Sequence, residues 1–428
     1  MPASRDSNQS TLYRSYVLGL LLLAYVLNTA DRSPLLGVSL QAIKIEFGAS
    51  DTALGLLTGI TFAIFYSAMG MPIAVLADRT NRVRVLSAAV VVWSVMTALC
   101  GSATSFAWLL AARAGVATGE AGCTPPSHSL VSDYFPRHQR GRAFAVLALG
   151  VGIGTTAGNL VAGSLIDVYG WRTTFAVIGL PGVLVGLLIA VTVREPPRGL
   201  ADGLADAGRP TVVSAAVGAL WKRPAFRHIC LAAGFHSLVW YATGAFTIAF
   251  LQRSHGVTAG RAADIMAVVA IASTVGTLAG GWAADWISRR RGDARWNLWV
   301  PAIATLACVP CQLGAYLSGS MTGAVAGLLA NGVLAAAFFG PSFAMVQRLA
   351  EVRSRSLATS VLLLTQTLIG YGLGPVIAGT LSDRLGPAYG NRSLGVALAI
   401  VAVVNVWAAA HYARASQTLR DDLAGLER

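Results

Sequence analysis

An arginine and a glutamate seven residues apart, Arg113 and Glu120, sit inside the apolar run LLAARAGVATGEAGCTPPSHSLVSDYF. Seven residues make two helical turns, so the two side chains share one face. Asp31, in the first apolar run, is the other charge that lies clearly within an apolar segment, and Arg32 near the outer edge is a fourth candidate. A charge at the centre of a membrane helix costs roughly 2.5 to 3.5 kcal/mol on insertion scales, and residues kept there mark ion or substrate pathways. Two carboxylates against one central arginine leave one acid short of a full partner. A carboxylate so placed should bind and release a proton near neutral pH, which makes Asp31 and Glu120 the expected proton-coupling residues. The competing reading is a static salt bridge that only fixes helix packing.

These charges stand out because so little else is charged. The chain is 55% hydrophobic and 12% charged, against about 25% charged for soluble domains. Windows of about 20 mostly uncharged residues, enough to cross a bilayer, recur at 15–40, 52–77, 84–103, 106–132, 142–166, 173–193, 226–252, 260–284, 297–318, 322–347, 356–382 and 393–413. The spacing predicts an all-α membrane protein of twelve transmembrane helices in two six-helix bundles. The bundles are expected at 1–193 and 226–428, joined by a cytoplasmic linker at 194–225 whose REPPRGLADGLADAGRP is rich in Pro, Gly and charge. Glu120 falls midway between Phe106 and Tyr134, near the bilayer centre. Arg113 is about 10 Å closer to the outside, and Asp31, sixteen residues beyond Ser15, is expected in the outer half.

The net charge of +13 reports topology and not a nucleic-acid partner. Twenty-four of the 32 lysines and arginines fall in the tails and loops of one side, seven on the other, and Arg113 within the membrane. That bias is the positive-inside rule, with both termini cytoplasmic. The polar stretch Met1–Arg14 does not read as a cleavable signal. The five cysteines lie in apolar segments and read as small hydrophobes. Neither Lys44 nor Lys222 follows the glycine of a phosphate loop, and GxSxG and HExxH are both missing. An ATP-driven pump, a hydrolase and a metal site are therefore not expected, and no cofactor is called for besides protons as coupling ion.

One short pattern recurs in phase. GSLID (Gly163 to Asp167), GWAAD (Gly281 to Asp285), GTLSD (Gly379 to Asp383) and AVLAD (Ala74 to Asp78) end the fifth, eighth, eleventh and second spans. A second echo links RHQRGRAFAVLALG with EVRSRSLATSVLLL. The halves repeat, and each half repeats three helices in inverted orientation. Small residues let helices approach closely, and an aspartate at a cytoplasmic helix end can pair with arginines of the next loop. A cytoplasmic gate is expected from Asp78, Arg79 and Arg82 in one half and Asp285 and Arg289 in the other.

With these residues in view, the sequence resembles the Spinster branch of the major facilitator superfamily. The resemblance rests on NTADRSPLLGV in the first span, RAGVATGEAGCTPPSHSLVSDYFPRHQRGRA across the fourth, and GWRTTFAVIGLPG entering the sixth. It implies a proton-linked carrier of lysolipids or sphingoid phosphates; alternating access is the expected mechanism, and the Arg- and Ala-rich composition points to a bacterial inner membrane. Asp31 and Glu120 are then proton sites, and Arg113 with Arg32 holds the anionic headgroup or relays charge. Two departures are visible. Ala74 stands where the superfamily's loop motif has glycine, and GVGIGTTAGN in the fifth span lacks the proline of the drug-antiporter motif. Spans seven to twelve hold no comparable acid but carry His236, Trp240, Tyr241, Phe246, Asn331, Phe338, Phe339 and Gln366, expected to line a substrate cavity whose aromatic wall suits an amphiphile. A monomer among membrane lipids is expected. A proton/drug antiporter, an organic-anion carrier and a non-transporting sensor are the alternatives.

Overall fold

The computed structural model describes residues 11–198, 213–351 and 354–427, with no strand among them. The first expected crossing is two helices, α1 (Thr11–Arg32) and α2 (Pro34–Phe47), parted at Ser33 because Pro34 has no N–H to continue the ladder. The second is α3 (Asp51–Gly55), a wide π turn (Leu56–Ile60) and α4 (Thr61–Arg79). α5 (Arg82–Cys100) is the third. The fourth is α6 (Phe106–Glu120) and α7 (Thr124–Tyr134), separated by a turn ahead of Pro125 and Pro126. The fifth and sixth share α8 (Arg137–Thr192), which Gly170 breaks at φ 73° and ψ 170°, a conformation that favours glycine.

The expected linker is not all irregular. It contains α9 (Val213–Lys222), while residues 199–212 lie outside the described residues. Then follow α10 (Pro224–His255), α11 (Ala259–Arg291) and α12 (Trp296–Leu317). The tenth crossing is α13 (Met321–Ala335) with α14 (Phe339–Arg348). The eleventh is α15 (Arg355–Thr365), a π stretch (Gln366–Leu373) and α16 (Gly374–Tyr389), and the twelfth is α17 (Ser393–Ala402) with α18 (Val404–Glu427).

Among the described residues nine stretches are long and apolar enough to cross a membrane, and two of them, of 55 and 71 residues, are each long enough to cross twice. With the broken α6–α7 pair this makes twelve crossings, and all twelve expected windows fall on helices to within a few residues. The turns between them are short because side chains cap the helices. Asn81 accepts from Arg84 N at 2.8 Å, Ser105 from Trp108 N at 3.2 Å and Ser320 from Gly323 N at 3.1 Å.

The contacts divide the chain into two compact units, Met1–Leu35 with Phe65–Gly208, and Leu36–Ile64 with Arg209–Arg428. In the first, α8 packs along α1 and α5. A Cβ at Gly154 would lie 2.5 Å from Val26 O, and one at Gly158 2.7 Å from Ala30 Cα, so the stretch GVGIGTTAGN is a face of small residues against α1. In the second, Phe226, Ile229, Leu298, Val346, Leu362 and Tyr412 form one buried core.

The division differs from the boundaries expected from sequence at residues 36–64, which pack in the second unit. Backbone approach explains it: a Cβ at Gly55 would meet Pro375 O at 2.5 Å, and one at Gly379 would meet Asp51 O at 2.1 Å. Hydropathy reads the length of a crossing but not its partner, so the sequence boundary followed chain order.

Candidate functional site

Asp31, Arg113 and Glu120 come together inside the first unit, and the protein itself closes them off: their exposures are 2%, 0% and 1%. The breaks in the two crossings supply them. Asp31 and Arg32 occupy the last turn of α1, and Glu120 is the last residue of α6. The chain past Glu120 tightens, with Gly122 N bonding Gly119 O at 3.0 Å and Cys123 N bonding Glu120 O at 3.0 Å. Irregular backbone of this kind is tolerated at membrane depth only where it is buried in protein or lines a cavity.

Thr97 Oγ1 donates to Asp31 Oδ2 at 2.8 Å. Arg32 Nε donates to Glu120 Oε2 at 2.7 Å, its NH2 group lies 2.5 Å from the same oxygen and donates to Asn28 Oδ1 at 3.3 Å, and its guanidinium stands 5.2 Å from the centre of the Tyr66 ring. Asp31 is within hydrogen-bonding reach of Glu120 and within the electrostatic reach of Arg113. With both carboxyls ionised, Asp31 Oδ1 and Glu120 Oε1 have no donor. A single proton between the two acids satisfies both oxygens, because a protonated carboxyl donates where a carboxylate can only accept.

Two expectations change. The first crossing is longer than expected, since α1 and α2 together run Thr11–Phe47, 37 residues, with Asp31 just beyond the middle of that stretch. The window ended at 40 only because Lys44 and Glu46 were read as loop. Glu120 takes Arg32 as an ion-pair partner, where the sequence pointed to Arg113. Arg32 ends a helix, and its side chain turns back toward Glu120 of α6.

The cavity candidates of the second unit divide. His236 is buried, with Nδ1 2.8 Å from Asn405 Oδ1 and Nε2 2.8 Å from Ala335 O, and Asn405 Nδ2 donates to Gln312 Oε1 at 3.2 Å. It ties α10 to α13 and α18. Phe338 packs edge-on to His236 at 4.6 Å, and Phe246 is wholly buried. Trp240 and Phe339 are exposed at 37% and 47%. Asn331 Oδ1 and the Nε2 of buried Gln366 have no hydrogen-bond partner. Gln366 opens the π stretch, a distortion frequent at functional sites.

Tyr371, which sequence reading passed over, stands in that same stretch. Its ring is 4.5 Å from Tyr241 and 4.8 Å from Phe62. Thr97, Asn28 and Tyr66 were also missed, since single polar residues on apolar helices carry no distinguishing pattern.

The gate candidates do not pair as expected. Asp78, Arg79, Asp285 and Arg289 are exposed and make no ion pair within their units among the described residues. Arg82 is instead buried. It binds Asp133, donates to Glu195 Oε1 at 2.6 Å, to Ser129 Oγ at 2.8 Å and to Pro196 O at 2.9 Å. Near Arg289 the acid that gathers arginines is Asp293. Hydrogen bonds from Arg295 hold its carboxyl down to about 2, and Arg420 lies 3.0 Å away. Replacing Arg82 with alanine removes the guanidinium from two acids and should cost about 3 kcal/mol, the low end for a broken buried pair because Glu195 is partly exposed. Thermal unfolding of the purified protein checks this, and an unchanged midpoint contradicts it.

The fold and its buried charges define a multi-pass membrane carrier. The sequence model of the Major Facilitator Superfamily matches residues 21–308 and 229–427, and the chain belongs to that superfamily. Its structure is similar to that of a bacterial homolog of the human lysosomal transporter Spinster, in an inward-facing and unoccupied conformation. The TM-score is 0.87 and the identity 34%, over 96% of this chain and 99% of that one. An MFS-type efflux pump of Mycolicibacterium smegmatis is 32% identical over 95% of this chain and 93% of its own length. The sphingosine-1-phosphate transporter SPNS2 of Danio rerio is 32% identical over 43% of this chain and 37% of its own. The protein is thus a Spinster-like transporter with the major facilitator fold, and not an enzyme.

Proposed function

We propose that this chain couples proton movement to the transport of an anionic amphiphile, of the lysolipid or sphingoid-phosphate class, by alternating access. The observation that carries the reading is the buried carboxyl pair Asp31 and Glu120, two acids within reach of one another, each with one oxygen that has no donor. With both acids ionised, Arg32 and Arg113 are balanced by two negative charges. A proton taken up between the acids removes one of those charges and leaves the cluster with a net positive charge. An anionic headgroup then binds there, the buried charge is balanced again, and the halves reorient. Loss of the proton on the other side restores the carboxylate, which displaces the headgroup from the arginines.

Within the second unit, the aromatic side chains Trp240, Tyr241, Phe339 and Tyr371 have the chemistry that suits a hydrocarbon chain. Protons are the only coupling ion needed. The membrane is assigned as the bacterial inner membrane, with both termini cytoplasmic, and the carrier acts as a monomer. Support for the substrate class comes from the likeness to a sphingosine-1-phosphate transporter. A second reading, proton-driven drug efflux, draws on the likeness to an MFS-type efflux pump over 93% of that protein's length.

Proteoliposomes containing a pH dye separate the readings. Under the first, a lysophospholipid or sphingoid phosphate elicits saturable proton movement and a cationic amphiphilic drug does not. Proton movement with the drug alone supports efflux. Binding of the anion without flux, at any pH gradient, leaves a sensor and overturns both.

A further inference from the structure

The first unit holds a second feature, bordering Thr118 and Gly119 of α6. A groove of about 390 Å³ runs between the inner part of α4, the first half of α5 and the end of α6. Its walls are apolar, with Leu76, Ala88 and Val92 along its length and Gly119 at its floor, and one end carries Asn81 and Arg84. That size is within the range of small-ligand pockets. α4 leaves the groove open because its inner half is loosely seated: Pro72 interrupts its ladder, and Met71 and Leu76 are exposed at 74% and 51%.

Arg84 is the basic residue that lines the groove, and this region does not use it internally. Arg82 is taken by Asp133 and Glu195, and Arg198 donates to Ala77 O and Thr80 O at 2.9 Å each. The backbone N–H of Arg84 goes to Asn81 Oδ1. Its side chain is exposed, and among the described residues no carboxylate pairs with it. The arginine sits in the first turn of α5, on the side where basic residues concentrate, which is the level of phospholipid headgroups.

We infer that this groove is a binding site for an anionic diacyl phospholipid of the surrounding membrane, with its phosphate on Arg84 and Asn81 and one acyl chain laid along α5 to Gly119. Charge complementarity selects the occupant. A zwitterionic lipid offers the same tails but adds a cation beside Arg84, and basic pockets between transmembrane helices on the cytoplasmic side are where anionic headgroups bind. The acyl chain fills the space that α4 leaves and reaches the residue next to Glu120. The site is independent of proton coupling.

Native mass spectrometry of the full chain in detergent, titrated with phosphatidylglycerol and with phosphatidylcholine of matched chains, tests the assignment. Phosphatidylglycerol should be retained about fivefold over phosphatidylcholine, the factor that corresponds to about 1 kcal/mol for one basic residue at an anionic headgroup. Arg84→Gln, a change at an exposed side chain, should bring the two lipids level, and Ala88→Trp, which fills the groove, should remove both adducts. Equal retention by the wild type, or an unchanged preference in Arg84→Gln, overturns the inference. So does lysophosphatidylglycerol displacing the diacyl lipid, which marks a substrate path, or dimers appearing on delipidation, which marks a second copy as the occupant.

Discussion

Glu120→Gln should abolish proton-driven accumulation while leaving the carrier folded and able to exchange substrate. Glutamine keeps the volume of glutamate and an oxygen that still accepts from Arg32 Nε, the bond of 2.7 Å in the wild type. Its amide nitrogen replaces Oε1, a buried atom without a donor. The amide therefore donates at every pH and imitates the proton-bearing pair permanently. Arg32 and Arg113 then face a single carboxylate, so the anion site stays open and its affinity no longer follows pH. Substrate-dependent proton movement should fall to the level of protein-free vesicles, whereas exchange of labelled for unlabelled substrate persists.

Asp31→Asn reaches the same end from the other partner. It retains an oxygen for Thr97 Oγ1, so loss of the fold is not expected. Normal proton-coupled accumulation in either variant would falsify the coupling scheme. Loss of exchange together with coupling, in a protein that still melts cooperatively, would assign the pair to packing.

Asp51→Asn should cost about 3 kcal/mol and loosen residues 36–64 from the second unit. Asp51 is 2% exposed and is the only acid that the described residues bring to two cations at once in this region. It accepts from Lys44 Nζ at 2.6 Å, from both terminal nitrogens of Arg253 at 2.7 and 2.9 Å, and from Ser382 Oγ at 2.6 Å. The asparagine keeps the shape and removes the charge, which leaves a nearly buried guanidinium beside an ammonium. The estimate is held at the low end for a broken buried pair because Lys44 is 30% exposed.

Asp383 supports the same junction by a different means. Its carboxylate accepts from Asp51 N at 2.9 Å and from Thr52 N at 2.7 Å, which caps the start of α3. Thermal unfolding in detergent should show a lower midpoint for Asp51→Asn, and hydrogen exchange should speed up at the first amides of α3. A midpoint within about a degree of wild type contradicts the assignment, since about 3 kcal/mol should move a chain of 428 residues by about 3 °C.

The aspartate that repeats every third span illustrates where sequence reading stops. The period of GSLID, GWAAD and GTLSD was legible, and so was the need for a small residue, since Gly379 touches Asp51 O. The partner was not. An aspartate at a helix end finds arginines or backbone amides according to which helix end lies opposite, and for Asp383 it is the start of α3. In the same way the basic run Arg79, Arg82, Arg84 looked uniform, yet one of its members is buried under two acids while another borders an open groove.

Hydropathy, charge bias and a phased repeat are local properties, and from them the sequence alone determined twelve crossings, the carrier fold and three charges that the structure buries. What only the tertiary structure decided is pairing: Arg32 on Glu120, Asp31 between Glu120 and Arg113, His236 held between α13 and α18, and residues 36–64 packed with the second half of the chain. The reason is the solvent. Lipid rewards apolar length wherever it occurs and so writes each crossing into the sequence, but it offers no drive to choose among apolar neighbours. That choice is left to glycine contacts and to a few polar atoms, whose partners lie as many as 332 residues away, as Asp51 and Asp383 do.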